Sequence, residues 1–309
     1  LWPARLGAAP RSAVRGVPLH VDGSGLALAD AAGARLVNGD RMWHYTEGIR
    51  NWDPVWPEHG IRILPGPSSL WLDDRGRRLP SPNYPGFDTL STLEHLRSIG
   101  AEHSWFVLTQ SIVEKEFTLS GSEQNPDLTG RSLRRLAQRV LPGAPAPVQA
   151  FLDHGEDFVV ARSLTELLDG MEQLGPGLDR ASVVAAIAER DDAVADPRST
   201  DPQAVEIRRA REYIGDRLVR TAAPHRILDE RHWPLIAVRL HTLTRKTLGG
   251  VETDLDSRAL GADGAPIPGL FAVGEAAGFG GGGVHGYRAL EGTFLGGCLH
   301  TGRRAGRAV

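Results

Sequence analysis

The sequence predicts an α/β fold interrupted by an α+β insertion, and three observations carry that expectation. Strand-like apolar runs stand in the last quarter of the chain, Pro234 to Leu240 and Leu270 to Val273. The second run opens into a glycine-rich loop, GEAAGFGGGGVHG from Gly274, and then into a helical pattern. Between about Trp43 and Pro234 the character changes: tryptophans 43, 52, 56, 71 and 105 crowd among prolines 54, 57, 65, 67, 80, 82 and 85, and helical stretches follow. The implied division is 1–42 and 235–309 as parts of one domain, with 43–234 inserted between them. A chain of 309 residues has room for about two such bodies and a substantial core.

Each element has a local reason. LALADAAGARL, Leu26 to Leu36, reads as a helix after the turn HVDGSG, with Asp22 or Ser24 available as its cap. In the tryptophan-rich zone the prolines favour strands and loops over long helices. SLWLDDRGRRLP reads as two short strands about the turn Asp73 to Gly76, and SWFVLTQ as a buried strand leading into a helix. Helices are then expected in RSLRRLAQRV, in SLTELLDGMEQL with a capping box from Ser163 to Glu166, in SVVAAIAERDDAV and in DPQAVEIRRAREYIGDRL. The final helix is expected from about Ala289 to Ala308. There Leu290, Phe294 and Cys298 lie four apart, as do Leu295 and Leu299, which predicts one buried stripe.

Composition excludes several classes. A formal charge of -3 with no run of Lys or Arg gives no field for nucleic acid or anionic lipid. No run reaches the ~20 apolar residues of a membrane-spanning helix, and no signal-like leader is visible. The single cysteine, Cys298, rules out a disulfide framework, sits at core spacing and suits a reducing cytoplasm. The eleven histidines are scattered, with neither H-x-x-x-H nor a cysteine pair, so no metal site is expected. No G-x-S-x-G hydrolase elbow is present. The chain begins Leu1-Trp2-Pro3 without an initiator methionine and reads as a fragment.

The glycine loop does not by itself name a ligand. Gly278, Gly280 and Gly283 satisfy G-x-G-x-x-G after a strand and before a helix. That fingerprint also needs a second strand with an acidic residue about 20 positions later, and the sequence to Val309 leaves no room for one.

Three motifs in order are more specific. RKTLGGVETD, then GAPIPGLFAVGEAAG, then GVHGYRALEGTFLGGCLHTGRRAG resemble the C-terminal end of the flavoproteins that include fumarate reductases, succinate dehydrogenase flavoprotein subunits and 3-ketosteroid dehydrogenases. HVDGSGLALADAAGARLVN, MWHYT and SLWLDDRGRRLP are similar to further segments of that family, and the ending is similar to that of bacterial FAD-binding dehydrogenases. The resemblance implies that 1–42 and 235–309 are the C-terminal part of a Rossmann-like FAD-binding domain and that 43–234 is a cap carrying substrate positions. It implies an FAD-dependent oxidoreductase moving hydride between flavin N5 and a carbon–carbon bond beside a carbonyl. The β-α-β unit that holds the FAD pyrophosphate in this fold has no counterpart in the sequence, which leaves a non-catalytic fragment or binding subunit as the alternative. The expected partner is a small-molecule substrate, with no electron acceptor named.

Site residues follow by position in the shared motifs. Glu275 stands where the family's acid meets the ribityl chain, against a capping role. Phe294 and Leu295 stand where backbone N–H groups meet the flavin pyrimidine, and Gly249 and Gly250 form the turn beside the flavin, against an ordinary tight turn. Gly274 and Gly283 belong to the loop that passes the ring, where bare backbone allows close approach and a helix start favours the reduced flavin's negative edge. The substrate positions depart from the fumarate reductases: Lys246 replaces a substrate-binding histidine, Arg288 has moved one residue along, and the proton-donating arginine would fall near Gly86. Those losses weigh against a dicarboxylate substrate. Tyr84, Tyr287 and His44 remain as groups to polarise a carbonyl or take a proton, against packing roles for each. Lys246 and Arg288 are read as substrate anchors or as cations neutralising FAD. Glu123, Gln124 and Asn125 are read as cleft-lining residues or as a solvated turn.

Overall fold

A computed structural model describes residues 2–121, 143–278 and 294–309 of the chain. These form two compact units: residues 1–9, 17–44 and 244–309 make the smaller, and residues 10–16 and 45–243 the larger. The architecture is mixed α/β.

The larger unit is built on an antiparallel sheet with the strand order β5-β6-β9-β3-β4-β7. Its strands are β3 (Met42–Arg50), β4 (Gly60–Leu64), β5 (Leu70–Asp73), β6 (Ser104–Thr109), β7 (Thr118–Leu119) and β9 (Leu235–Thr247). Two more, β1 (Val14–Arg15) and β8 (Phe158–Ala161), also pair with β9. Register runs from Ser104 opposite Leu240 to Thr109 opposite Leu235. Side chains alternate along each strand. On one face Phe106, Leu108, Ile236 and Val238 meet Ile112, Val113 and Phe151; on the other Trp105, Val107, Leu235 and Ala237 meet Leu167, Met171, Val183 and Ile187. Both faces are thus covered by helices, which explains why SWFVLT and LIAV are uninterrupted apolar runs rather than alternating ones.

The helices begin where the sequence places their caps. Ser163 Oγ accepts the Glu166 N–H at 3.1 Å, although the Glu166 carboxylate returns to the Arg162 N–H rather than to that of Ser163. Helix Leu164–Leu174 and helix Arg180–Ala195 match the expected stretches. DPQAVEIRRAREYIGDRL forms two helices, Pro202–Arg209 and Ile214–Val219, not one. Helix Thr89–Ser98, capped by Asp88, was not anticipated within the tryptophan-rich zone. The expected hairpin of residues 69–80 keeps its first strand, while its return leg reduces to a bridge between Leu72 and Arg78. RSLRRLAQRV lies outside the described residues.

The smaller unit holds helix Ser24–Ala31, the two-residue strands β2 (Leu36–Val37) and β10 (Gly250–Val251), β11 (Arg258–Leu260), β12 (Pro266–Phe271) and helix Phe294–Ala308. The helix expected to run to Leu36 stops at Ala31, and Leu36 enters β2 opposite Val251. Its core is small: Ala29, Ala34, Val251, Ala259 and Ala272. In helix Phe294–Ala308 the expected buried stripe is corrected, because Leu295 is 70% and Leu299 66% exposed. Inward-facing positions carry Cys298, Thr301 and Ala305, where the Gly274 N–H donates to Thr301 Oγ1 at 2.9 Å. Only small side chains fit against backbone that close.

A buried histidine, His225, and a half-buried one, His103, make the larger unit acid-sensitive. Burial pulls the His103 and His225 imidazoles down, each to about 4. His225 accepts from Thr109 through Nε2 and donates through Nδ1 to the Ala223 carbonyl, an arrangement only the neutral ring can make. The unfolded chain binds these protons near pH 6.5, so stability is whole above that value and drains as pH falls from about 6.5 towards 4. Urea midpoints measured across that window are expected to fall, and less steeply in His225→Gln; a wild-type midpoint flat down to about pH 4.5 contradicts the assignment.

Candidate functional site

In the smaller unit the carboxy-terminal motifs converge through backbone contact. β10 pairs with β2, Gly250 opposite Val37, and Gly250 also bridges to Ala277. A Cβ on Gly250 would meet the Gly278 nitrogen at 2.1 Å and the Ala276 carbonyl at 2.5 Å. On Gly249 it would meet the Asn38 carbonyl at 2.5 Å, and on Gly274 the Cys298 sulfur at 2.7 Å. Gly274 and Gly278 have φ of +59° and +66°, the left-handed region that glycine tolerates. Gly249, Gly250 and Gly278 are therefore required for main chain to approach main chain, and Gly274 for the left-handed turn beside the Cys298 side chain, whatever else they face.

Glu275 sits in the single turn Gly274–Ala276 that follows β12. Its Oε1 accepts from Lys246 Nζ at 2.6 Å, so two residues singled out separately, 29 positions apart, form one ion pair. Lys246 is 20% and Glu275 51% exposed. The second oxygen, Oε2, accepts no hydrogen bond among the described residues. The helix packed on this turn presents Leu295 and Leu299 uncovered. A half-exposed acceptor with an uncovered apolar helix face on the same unit fits the hydroxylated chain and flat ring of a flavin. Gly283, Tyr287 and Arg288 lie outside the described residues, as do Glu123, Gln124 and Asn125; Phe294 opens the final helix.

His44 is buried at 8% exposure, with its ring stacked on Trp2 at 5.5 Å and 8°. Its Nδ1 accepts the Arg245 backbone N–H at 3.2 Å. That bond makes the neutral ring an Nε2–H tautomer, able to donate through Nε2 while its Nδ1 lone pair is engaged by the Arg245 amide.

Tyr84 belongs to the larger unit and lines a cavity of about 480 Å³ with Pro65, Pro67, Phe87, Glu206 and Arg209. Its hydroxyl has no hydrogen-bond partner among the described residues, and its ring leans on Phe87 at 5.4 Å. Burial, then the negative charge of Glu206, raises the phenol above its ordinary value against the opposing charge of Arg209. The group is therefore a neutral donor at physiological pH. The cavity has a buried tie behind it: Glu116, 3% exposed, accepts from Ser68 N–H, Ser68 Oγ and the Ala222 N–H, joining the 65–68 and 220–222 walls. Burial raises the Glu116 carboxyl above its ordinary value, and those three bonds oppose the rise. Gly66 makes room for it, since a Cβ there would lie 2.5 Å from Glu116 Oε2. Glu116, Glu206 and Arg209 escaped sequence reading because the contacts join segments far apart in the chain. No group of three or more metal-ligating side chains occurs among the described residues, and no helix among them is long and apolar enough to cross a membrane.

The family model described as FAD binding domain matches residues 2–295. A KsdD-like steroid dehydrogenase of Mycolicibacterium smegmatis (strain ATCC 700084 / mc(2)155) is 63% identical over 296 residues, covering 95% of this chain and 54% of the relative. A KsdD-like steroid dehydrogenase of Mycobacterium tuberculosis (strain CDC 1551 / Oshkosh) is 60% identical over 311 residues, covering 100% of this chain and 55% of the relative. The chain thus spans about half the length of the curated relatives it matches. Among solved structures, 3-ketosteroid delta1-dehydrogenase from Sterolibacterium denitrificans in complex with 1,4-androstadiene-3,17-dione aligns with a TM-score of 0.59 at 17% identity, over 96% of this chain and 48% of that one. That likeness is one of fold.

The glycine packing gives a test. Gly250→Ala is expected to lower stability by about 1–3 kcal/mol through forced separation of β10 from residues 276–278. A thermal midpoint within error of wild type would show that the contact is not as close as described.

Proposed function

The chain belongs to the FAD binding domain family, with FAD as its cofactor, and on that premise we propose that it forms part of an oxidoreductase acting on a carbon–carbon bond next to a carbonyl. We read residues 1–42 and 235–309 as the C-terminal part of a Rossmann-like FAD-binding domain and 43–234 as its cap. The activity is that of the protein at its full natural length. The relatives named steroid dehydrogenases support a steroid as the substrate class, the motif resemblance to 3-ketosteroid dehydrogenases points to a 3-ketosteroid within it, and the missing arginines weigh against a dicarboxylate.

The observation that carries this reading is the Glu275 carboxylate, one oxygen on Lys246 and the other without a partner among the described residues. FAD, when bound, supplies the group that accepts or returns the hydride. Glu275 accepts a ribityl hydroxyl through Oε2. Gly249, Gly250 and Gly274 keep side chains out of the backbone layer that the ring passes, and the N–H groups of Phe294 and Leu295 face its pyrimidine end, as the resemblance implies. Gly283, Tyr287 and Arg288 keep the roles their motif positions imply. His44 orients the strand end at Arg245 rather than taking a proton.

Tyr84 is the proposed carbonyl partner. A neutral phenol donates a hydrogen bond to a ketone oxygen and so makes the adjacent C–H more acidic. The cavity beside it, of about 480 Å³ and lined by apolar residues together with the charged Glu206 and Arg209, falls within the range of small-molecule sites.

The purified full-length protein is expected to be yellow, and Glu275→Ala to lose most of its flavin absorbance. Anaerobic addition of a saturated 3-ketosteroid is expected to bleach the bound flavin; a bleached spectrum supports the enzyme, an unchanged one the non-catalytic alternative, and a colourless protein that takes up no FAD overturns the oxidoreductase reading. Tyr84→Phe is expected to lower kcat by about 10²-fold with flavin content unchanged, as loss of a positioned proton donor does. A kcat within twofold of wild type would return Tyr84 to a packing role.

A further inference from the structure

We infer that Lys246 is a positioning residue for the flavin site, acting through Glu275, and not a substrate anchor. The inference rests on the reading of Glu275 as the ribityl acceptor and extends it to a residue whose motif position points to the substrate instead. Geometry carries it. Lys246 sits at the end of β9, and its ammonium lies 2.6 Å from Glu275 Oε1. Its strand end is itself held, because the Arg245 N–H donates to His44 Nδ1 and the Thr247 hydroxyl donates to the Arg41 carbonyl. The Gly249 N–H closes the turn by donating to Thr247 Oγ1 at 3.0 Å. The backbone of the Glu275 turn is held as well, by the Gly274 N–H on Thr301 and the Gly278 N–H on the Glu275 carbonyl, but the carboxylate itself is half exposed and is bonded to Lys246. A carboxylate on a short exposed turn samples several rotamers, and a cation on a fixed strand selects one of them.

The selection has a direction. With Oε1 on the ammonium, Oε2 is the oxygen left for a hydroxyl, so the ion pair presents one acceptor in one orientation. An exposed pair adds little to stability by itself, typically below about 1 kcal/mol. Once a ligand covers the pair the surrounding dielectric falls, and a carboxylate without its cation would be stranded there. Lys246 is therefore worth more to ligand binding than to folding. The replacement of histidine by lysine at this motif position fits, since the longer side chain reaches from a strand end to a turn 29 residues later.

The test uses the full-length protein and FAD itself, with dissociation constants read from quenching of flavin fluorescence. Lys246→Met is expected to weaken FAD binding about tenfold, a loss of about 1.4 kcal/mol, while the unfolding midpoint of the FAD-free protein stays within about a degree. Lys246→Arg is expected to recover most of that affinity. The double variant Lys246→Met, Glu275→Gln is expected to bind no more weakly than Glu275→Gln alone, because the lysine acts through the acid. An unchanged FAD affinity in Lys246→Met overturns the inference, as does additive loss in the double variant. Loss of the flavin spectral shift caused by an added 3-ketosteroid, with FAD affinity intact, assigns Lys246 to substrate instead. Wild-type protein that binds no FAD overturns the flavin reading and this inference together, so the two failures are told apart by the wild-type measurement.

Discussion

One fully buried carboxylate, Asp157, fixes the register of the strand on which the larger unit is built. It accepts from Arg239 Nε at 3.0 Å and from His241 Nε2 at 2.8 Å, both on one face of β9, and from the Arg50 N–H of β3 at 2.8 Å. Burial alone would push this carboxyl up; the His241 bond, the Arg50 amide and the guanidinium charge of Arg239 outweigh it and hold it below its ordinary value. Sliding β9 by one residue would set Leu240 and Thr242 where Arg239 and His241 stand, and leave a buried charge unpaired at a cost of several kcal/mol. The same shift would set Lys246 where Arg245 stands and Thr247 where Lys246 stands. The ladder from Leu235 to Leu240 thereby decides which side chain reaches Glu275 and which backbone amide reaches His44.

The smaller unit is held by a different physics. Its described core is mostly alanine, and side-chain burial contributes little there. Close approach of backbone takes its place: β2 against β10, β10 against residues 276–278, and the turn at Gly274 against the small side chains of Cys298 and Thr301. Such packing is intolerant of any Cβ, which accounts for glycine at 249, 250, 274 and 278 before any ligand is considered. It also leaves Leu295 and Leu299 facing outward, apolar area that a bound ring system would remove from water. Ligand binding to the folded state alone would then add stability that this core does not supply.

Much of the larger unit was legible because its signals are local. SWFVLTQ and PLIAVRL are continuous apolar runs, and both become strands buried on two faces; Ser163 announces its helix through a serine followed three residues later by glutamate. The final helix misled for a physical reason. Four-residue spacing of leucines predicts an inward stripe only where the surface beneath can accept large side chains, and the backbone at Gly274 cannot. The break between Arg209 and Ile214 was invisible because no glycine or proline marks it. At the site, motif position identified Glu275 and Lys246 one at a time, but nothing in spacing shows that they are bonded. Glu116 beneath Gly66 and Glu206 near Tyr84 were out of reach for the same reason, since each relation spans tens of residues.

The two groups proposed to carry chemistry, Glu275 in the smaller unit as acceptor and Tyr84 in the larger as donor, have surroundings of opposite kinds. Glu275 is half exposed and faces a cation, which suits a carboxylate that must accept hydrogen bonds. Tyr84 is partly buried and feels a carboxylate, which suppresses the phenolate and suits the donor role proposed for it. Exchanging those surroundings would disable both: a phenol beside a lysine leans towards its anion, and a carboxylate beside Glu206 would be driven towards its acid. Acceptor and donor are thus specified by the residues around them as much as by their own identity. A strand end that brings Lys246 to Glu275 and a helix that brings Glu206 near Tyr84 are the parts of the fold that write that specification.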